Sequence, residues 1–184
     1  MVNQSKSSRK SQPAAMKKTV AAANAVELLK TEHEEVAELF ETFESADTDE
    51  QEGVAEQICQ KLTVHAQIEE EILYPAARNV LEEDDEDLVN EAAVEHGTVK
   101  DLIAKIQDTT ATDQFYVAKV KVLGEYVKHH VEEEETELFP LLEASDLDLD
   151  AMGSELASRK LELMAELGAD VVHARGKGAG RGDA

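Results

Sequence analysis

The chain has 184 residues, which suits one compact domain with flanking segments rather than two full domains. It carries 41 acidic against 18 basic residues, and the formal net charge of −23 repels the phosphate backbone of nucleic acid, so no nucleic acid partner is expected. Cys59 is the single cysteine, which excludes an internal disulfide and a cysteine-based metal cluster. Because no apolar run could span a membrane and the N-terminus lacks the apolar core of a secretory signal, we expect a cytoplasmic protein without a membrane partner.

The two ends of the chain differ in composition from its middle. Residues 1–23 contain basic but no acidic side chains and are predicted to form a disordered tail. A transit peptide is the alternative, but the segment lacks arginine enrichment and a clear amphipathic pattern. Residues 144–184 are predicted to form one helix followed by a flexible Gly-rich tail. Residues 24–143 are therefore the predicted main domain.

Apolar residues recur three and four positions apart along that middle segment, which is typical of amphipathic helices. The first helix is predicted at about 24–45 and the second at about 49–80. The third follows the acidic run 82–87, and the fourth begins near Thr112. A shorter fifth helix at about 148–167 has an apolar face that would cap the bundle or form a homodimer. The predicted fold is all-α, an up-and-down antiparallel four-helix bundle with an extra C-terminal helix.

Polar residues replace hydrophobes in the apolar face of each of the four helices, with one histidine in every helix and a glutamate as well in the second and the fourth. The histidines are His33, His65, His96 and His130. Glu69 and Glu134 follow the second and the fourth of these by four residues. Residues four apart on a helix differ by about 40° in direction and about 6 Å in height, so each His–Glu pair presents a nitrogen and a carboxylate inward.

The two His–Glu pairs belong to an internal repeat. The segment HAQIEEEILYP at 65–75 matches HVEEEETELFP at 130–140 in the spacing from histidine to glutamate and from histidine to proline. The Glu-His dipeptides at 32–33 and 95–96 correspond as well. The bundle is thus predicted to be a duplicated helical hairpin, and an approximate two-fold axis would bring the four polar positions to one level of the core.

A bound cation would explain this polar layer. An unpaired buried carboxylate costs several kcal/mol and an unsatisfied imidazole about 1–3 kcal/mol, whereas a cation among them reverses the sign. Imidazole and carboxylate without thiolate suit iron, manganese or zinc rather than calcium, and carboxylates can bridge two ions. Any one of these histidines alone is better explained as a packed or surface residue, but the set of four is not. The predicted metal ligands are His33, His65, Glu69, His96, His130 and Glu134.

Five further side chains near the predicted ligands have structural interpretations. His129 lies about 100° around the helix from His130 and is interpreted as a flanking residue. Tyr126 is interpreted as a core aromatic in preference to a hydrogen-bond donor or an extra ligand. Glu70 and Glu135 are interpreted as exposed residues in preference to alternate bridging ligands. Cys59 is interpreted as a buried small hydrophobe rather than a redox thiol.

The order of the polar residues separates two classes of di-iron protein. Ferritin-like bundles use a Glu-x-x-His pair, and no histidine here has a glutamate three residues before it. The pattern instead resembles the hemerythrin-like, or HHE cation-binding, family, which has a lone His, an HxxxE, a second lone His and a second HxxxE on successive helices. The matching residues are His33, His65 with Glu69, His96, and His130 with Glu134.

This resemblance implies a non-haem di-iron centre in which two carboxylates and an oxo or hydroxo group bridge the irons, with manganese or zinc as the alternative metal. Oxygen-carrying hemerythrins have a further histidine one turn after the third-helix histidine, where this chain has Lys100. Their last carboxylate is an aspartate five residues after its histidine. Six protein ligands leave more coordination positions open than a carrier needs, which favours binding or reduction of a small molecule over reversible oxygen carriage.

The function predicted from these features is that of a di-iron protein that binds or turns over dioxygen, hydrogen peroxide or nitric oxide in stress defence or sensing. Catalase-like decomposition of peroxide is the candidate enzymatic activity. Iron storage or iron sensing is one alternative. A structural helical interaction module, with the histidines satisfied by hydrogen bonds, is the other.

Overall fold

The computed structural model of the protein describes residues 24–83 and 85–178. Helix α1 is Ala25–Ser45, and helix α2 is Thr48–Ile68 continued by Glu69–Leu73 and Tyr74–Ala77. Helix α3 is Glu86–Gln107, and helix α4 is Tyr116–Glu133 continued by Glu134–Leu138 and Phe139–Ala144. Helix α5 is Leu149–Gly178. The predicted tail at 1–23 and the last six residues lie outside the described part of the chain.

The first four helices form the predicted up-and-down bundle. Helix α1 packs on α2 and α3 packs on α4, so each pair is an antiparallel hairpin. The hairpins lie side by side, with α1 beside α4 and α2 beside α3. Among the described residues, no helix has both the length and the apolar character needed to cross a membrane.

Helix α5 covers the first hairpin, packing against both α1 and α2. Its buried residues Met152, Leu156 and Leu163 belong to the same apolar cluster as Leu29. The apolar face predicted from the sequence is therefore used within the chain, and a homodimer through this helix stays a prediction. The helix continues to Gly178, beyond its predicted end at 167.

Side-chain hydrogen bonds lie at or just before the start of two of the helices. The Asn24 side chain accepts the backbone N–H of Glu27 at 2.9 Å and so satisfies one of the free N–H groups in the first turn of α1. Helix α4 begins at Tyr116 rather than near Thr112 as predicted. There the Asp113 side chain accepts the N–H of Phe115 at 2.8 Å, which holds the preceding residues in a turn.

Helices α2 and α4 each widen to a π-helical turn that starts at a predicted ligand. The backbone N–H of Tyr74 bonds to the carbonyl of Glu69, five residues back, and Phe139 bonds to Glu134 in the same way. A proline follows directly in both helices. Because proline has no N–H and its ring clashes with the carbonyl four residues back, a wider turn relieves the conflict while the helix continues.

The polar residues divide the core into two apolar clusters. The first cluster includes Leu29 and Ile68, and the second includes Ile58 and Leu123. Cys59 belongs to the second cluster and is buried, as predicted. Burial raises the pKa of its thiol to about 11, so the reactive thiolate is scarce at neutral pH.

Candidate metal centre

All six predicted ligand side chains meet at one level of the bundle, between the two apolar clusters. None of the six is more than 6% exposed, and Glu69 is fully buried. The predicted two-fold arrangement accounts for this meeting, because equivalent positions of the two hairpins face one another. The set consists of His33, His65, Glu69, His96, His130 and Glu134.

The four imidazoles form two close pairs, one in each hairpin. The Nε2 atoms of His33 and His65 lie 3.1 Å apart, and those of His96 and His130 also lie 3.1 Å apart. Two nitrogens that each lie about 2.1 Å from one ion, at right angles, are about 3 Å apart. Each hairpin therefore presents a nitrogen pair with the spacing that one metal ion requires.

The two buried glutamates lie between the nitrogen pairs. One oxygen of Glu69, Oε2, is 3.3 Å from Nε2 of His65 and 3.4 Å from Nε2 of His96. The Oε2 atom of Glu134 is 3.5 Å from Nε2 of His33 and 3.5 Å from Nε2 of His130. Each carboxylate thus lies within 3.5 Å of one nitrogen from each hairpin.

The buried carboxylates lack the hydrogen bonds that would compensate their burial. Three of their oxygens accept no hydrogen bond from the described residues. These are both oxygens of Glu69 and the Oε2 atom of Glu134. Burial and the neighbouring Glu134 raise the pKa of Glu69. Burial alone would also raise the pKa of Glu134, but His33 and the other imidazoles lower it below its usual value. Cations between these groups would satisfy the free oxygens, so the donor set fits a metal.

Each histidine donates its other ring proton to a second glutamate. His33 and His65 donate from Nδ1 to Glu135 and Glu32, each at 2.8 Å. In the other hairpin the same contacts are 3.1 Å from His96 to Glu70 and 2.8 Å from His130 to Glu95. These contacts place the Nδ1 proton outward and leave the Nε2 lone pair facing the centre.

The sequence interpretation of Glu70 and Glu135 as exposed residues was wrong. Both are only half-exposed, and both orient a histidine. The signal that could have found them is the repeat, since a glutamate directly follows the inward glutamate in both halves. Glu32 and Glu95 are likewise repeated, each directly before an inward histidine.

Two lysines contact these outer carboxylates. Lys100 Nζ lies 2.6 Å from both oxygens of Glu70, and Lys160 Nζ lies 2.6 Å from Oε1 of Glu32. Burial alone would raise the pKa of Glu32, but its hydrogen bond with His65 and the Lys160 ammonium outweigh burial and lower it. Lys100, which occupies the position of the carriers' extra histidine, therefore contacts an outer carboxylate instead of the centre.

Comparison with known proteins agrees with this geometry. The family model for the hemerythrin HHE cation-binding domain matches residues 24–142. The chain belongs to this family. The buried histidine and glutamate clusters together with this membership identify a metal-binding protein.

A solved structure shares the fold of this hemerythrin-like domain. It is a hemerythrin HHE cation-binding domain-containing protein from Mycobacterium kansasii, with a TM-score of 0.67 and 23% sequence identity. The similarity covers 78% of this chain and 89% of that one. A curated protein named DNA nickase, from Nostoc sp. (strain PCC 7120), is 28% identical over 148 residues. That match covers 79% of this chain but only 41% of the relative's length.

The site contains a buried tyrosine that the sequence interpretation missed. Tyr74 donates its hydroxyl proton to Oε1 of Glu134 at 2.9 Å, and its oxygen lies 3.3 Å from Nε2 of His96. Burial, with Glu69 and Glu134 nearby, raises the pKa of this phenol well above 10, so it keeps its proton. Phe139 occupies the equivalent position in the other half and stacks on His33. The aromatic residue before each repeated proline was the available signal.

Two other interpretations concern helix α4. Tyr126 is 46% exposed, so its assignment as a core aromatic was wrong. The inward residues of this helix follow the spacing 120, 123, 127 and 130, and Tyr126 lies at the solvent side of that row. His129 has a side chain that is 62% exposed, in agreement with its assignment as a flanking residue.

Two spaces adjoin the centre and share part of their walls. A cavity of about 20 Å³ touches all four inward histidines, and its remaining wall is largely apolar. A larger groove of about 610 Å³ lies between α1 and α4, with Phe40 and Gly124 in its walls. Three residues line both spaces and form the partition between them, namely His33, Val127 and Val131.

Proposed function

We propose that this chain holds two iron ions and uses them to bind or turn over a small uncharged oxidant or gas, namely dioxygen, hydrogen peroxide or nitric oxide. The observation that best supports this proposal is the arrangement of the histidine nitrogens. They form two pairs, with 3.1 Å between the two Nε2 atoms of each pair, and the Oε2 atom of Glu134 lies 3.5 Å from one nitrogen of each pair. His33 and His65 would hold one ion, and His96 and His130 the other. Glu69 and Glu134 would bridge them.

The donor types support iron over the alternatives. Imidazole suits iron, zinc and copper, while carboxylates shared between two ions are typical of di-iron bundles. Six protein donors for two ions leave coordination positions free for an external ligand. Iron bound there would supply a position for that ligand and electrons for its reduction.

The adjoining cavity supports a small, uncharged ligand. At about 20 Å³ it has room for a molecule the size of water, since about 10–15 Å³ of such space holds one. Its wall beyond the histidines consists largely of valine and leucine side chains, with Val36, Leu62 and Val99 among them. A diatomic gas or hydrogen peroxide fits this space, whereas an organic substrate does not. The groove between α1 and α4 is the proposed route to it.

The chain's own polar groups have defined tasks in this proposal. The outer glutamates hold each Nδ1 proton, so the Nε2 atoms stay available as donors. Tyr74 holds its phenolic proton on Glu134 and provides the one hydroxyl donor that the described residues place at the inward carboxylates. The proposed setting is cytoplasmic defence against oxidative stress, or sensing of it.

Two other functions are less well supported. Iron storage needs room for many ions, and the cavity at the centre is too small for that. Nicking of DNA is considered because one similar protein is named DNA nickase, but the match covers only 41% of that protein's length. A net charge of −23 opposes DNA binding, so we do not propose nicking for this chain.

The test is the response of the iron-loaded protein to these ligands. We expect its absorption spectrum to change with nitric oxide or hydrogen peroxide, and peroxide to be consumed. Glu69→Gln should abolish the response, while Glu71→Gln, which changes an exposed carboxylate two residues away, should keep it. An iron-loaded wild-type protein that responds to none of these ligands would overturn the proposal.

A further inference from the structure

Helix α5 contacts the centre through a short chain of charged groups. Lys160 Nζ lies 2.6 Å from Oε1 of Glu32, and the other oxygen of Glu32 accepts the Nδ1 proton of His65 at 2.8 Å. Lys160 lies beyond residues 24–142, the part of the chain that the family model matches. A residue outside the matched domain is therefore two contacts away from a proposed metal ligand.

The Glu32 carboxylate needs the positive charge of Lys160 because its side chain is buried. The Glu32 side chain is 8% exposed, and among the described residues the Lys160 ammonium, 2.6 Å away, is the polar group that contacts its Oε1 atom. The ammonium group of Lys160 is thus the charge that compensates this oxygen. Without the lysine, the Oε1 atom would be buried with no partner among the described residues. That cost favours rotation of the Glu32 side chain toward solvent and away from His65.

Among residues 24–83 and 85–178, no lysine makes the equivalent contact in the other half of the repeat. Glu95 is the counterpart of Glu32 and accepts the Nδ1 proton of His130 at 2.8 Å. Its second oxygen lies 3.8 Å from the exposed His129, and its side chain is 16% exposed. In the described part of the chain, α5 packs mainly on α1 and α2, which form the other hairpin. The lysine contact therefore comes from helix α5 and is not part of the repeated hairpin.

We propose that Lys160 is a positioning residue of the metal centre, which holds Glu32 against His65 and so makes metal retention depend on the docking of helix α5. The inference rests on the proposed metal site, because it assigns His65 as a ligand. Groups that hydrogen-bond the second ring nitrogen of a metal-binding histidine typically contribute about 10–100-fold to metal affinity, and we expect an effect of that size here.

The experiment compares Lys160→Met with Arg159→Met in the full-length protein. Methionine keeps an unbranched stem and removes the charge. Arg159 is the matched control, since it is the adjacent residue on α5, carries the same charge and pairs with Glu71 at 2.6 Å rather than with an outer glutamate. Affinities are measured by competition against a chelator for iron and for zinc, and the tautomer of His65 is followed in metal-free protein by nitrogen NMR.

We expect Lys160→Met to lower metal affinity about 10–100-fold and to shift the His65 ring nitrogens, while Lys160→Arg keeps both and Arg159→Met changes affinity less than about threefold. The direction of the change is diagnostic. Removing a positive charge near a metal would by itself tighten binding, so a loss of affinity identifies positioning rather than long-range electrostatics. Unchanged or tighter binding in Lys160→Met would overturn the inference, as would an equal loss in Arg159→Met.

The metal titration of the wild type separates this inference from the proposed function. A wild-type protein that binds neither iron nor zinc overturns the metal site and this inference together. A wild-type protein that binds metal but shows no response to nitric oxide or peroxide overturns the proposed function and leaves this inference standing.

Discussion

The Nε2 atoms of His33 and His65 face each other at 3.1 Å in the buried centre of the bundle, while both Nδ1 atoms donate to carboxylates. Two lone pairs at that distance would repel one another, and a positive charge between them would remove the repulsion. In the metal-free protein we infer that a proton has this role. In the loaded protein we infer that it is a metal ion.

The metal-free protein should lose stability as pH rises above neutrality. Burial alone would lower the pKa of His33, but Glu134, Glu69 and Glu135 raise it to about 9. A raised pKa in the folded state stabilises the protein fully below the unfolded value of about 6.5, and that stabilisation is lost as pH rises through about 9. Melting temperatures of metal-free protein between pH 7 and 10 measure the effect.

His33→Gln is the control for this pH dependence. Because glutamine does not titrate, the variant should show a flatter profile over the same range. Loading metal should also flatten it, since the metal replaces the proton. A wild-type profile that is flat without metal would show that His33 does not hold the extra proton.

Two adjacent histidines on α4 should differ sharply in metal retention. His130→Gln removes a proposed ligand and should cost at least one of the two ions, whereas the side chain of His129 is 62% exposed and His129→Gln should retain both. Elemental analysis of protein purified in parallel gives the ion count. Equal metal content in the two variants would contradict the assignment of His130.

The main features of the fold could be predicted from the sequence because the repeat constrains it. Four apolar faces at helical spacing indicate a bundle, and a polar residue in each face, at matching intervals in both halves, indicates one common polar level. The inward position of His96 follows from its neighbours Ala92 and Val99, which are buried on the same face.

The outer features were harder to predict. Whether Glu70 is exposed or contacts His96 depends on the distance between α2 and α3, which spacing along one helix does not contain. The contact between Lys160 and Glu32 depends on where α5 docks, and an apolar face alone does not define its partner. Tyr74 belongs to the repeated motif, but its role depends on the π-helical turn before Pro75.

Removing the hydroxyl of Tyr74 should destabilise the metal-free protein without emptying the site. Tyr74→Phe leaves the Oε1 atom of Glu134 buried without its donor, which costs about 1–3 kcal/mol in the free energy of unfolding. Urea denaturation measures that cost. The control is Tyr116→Phe, at a buried tyrosine in the second apolar cluster, where we expect less than about 0.5 kcal/mol. Similar costs in both variants would argue against a specific role for the Tyr74 contact.

Filling the partition between the groove and the inner cavity should slow ligand arrival. Val131 lines both spaces, so Val131→Trp should reduce the association rate of nitric oxide with iron-loaded protein about tenfold, equivalent to about 1.4 kcal/mol in the barrier. Stopped-flow absorbance measures the rate. Val94→Trp places the same side chain at an exposed site and should leave the rate unchanged. If both variants react as fast as the wild type, the ligand uses another route.

The central claim is that the buried histidines and glutamates hold a pair of ions rather than one ion or a set of protons. Anaerobic titration of metal-free protein with ferrous iron, followed by equilibrium dialysis and elemental analysis, tests it most directly. We predict saturation at two ions per chain and none tightly held when Glu69 and Glu134 are both changed to glutamine. Saturation at a single ion, or uptake that is unaffected by the double substitution, would contradict the account.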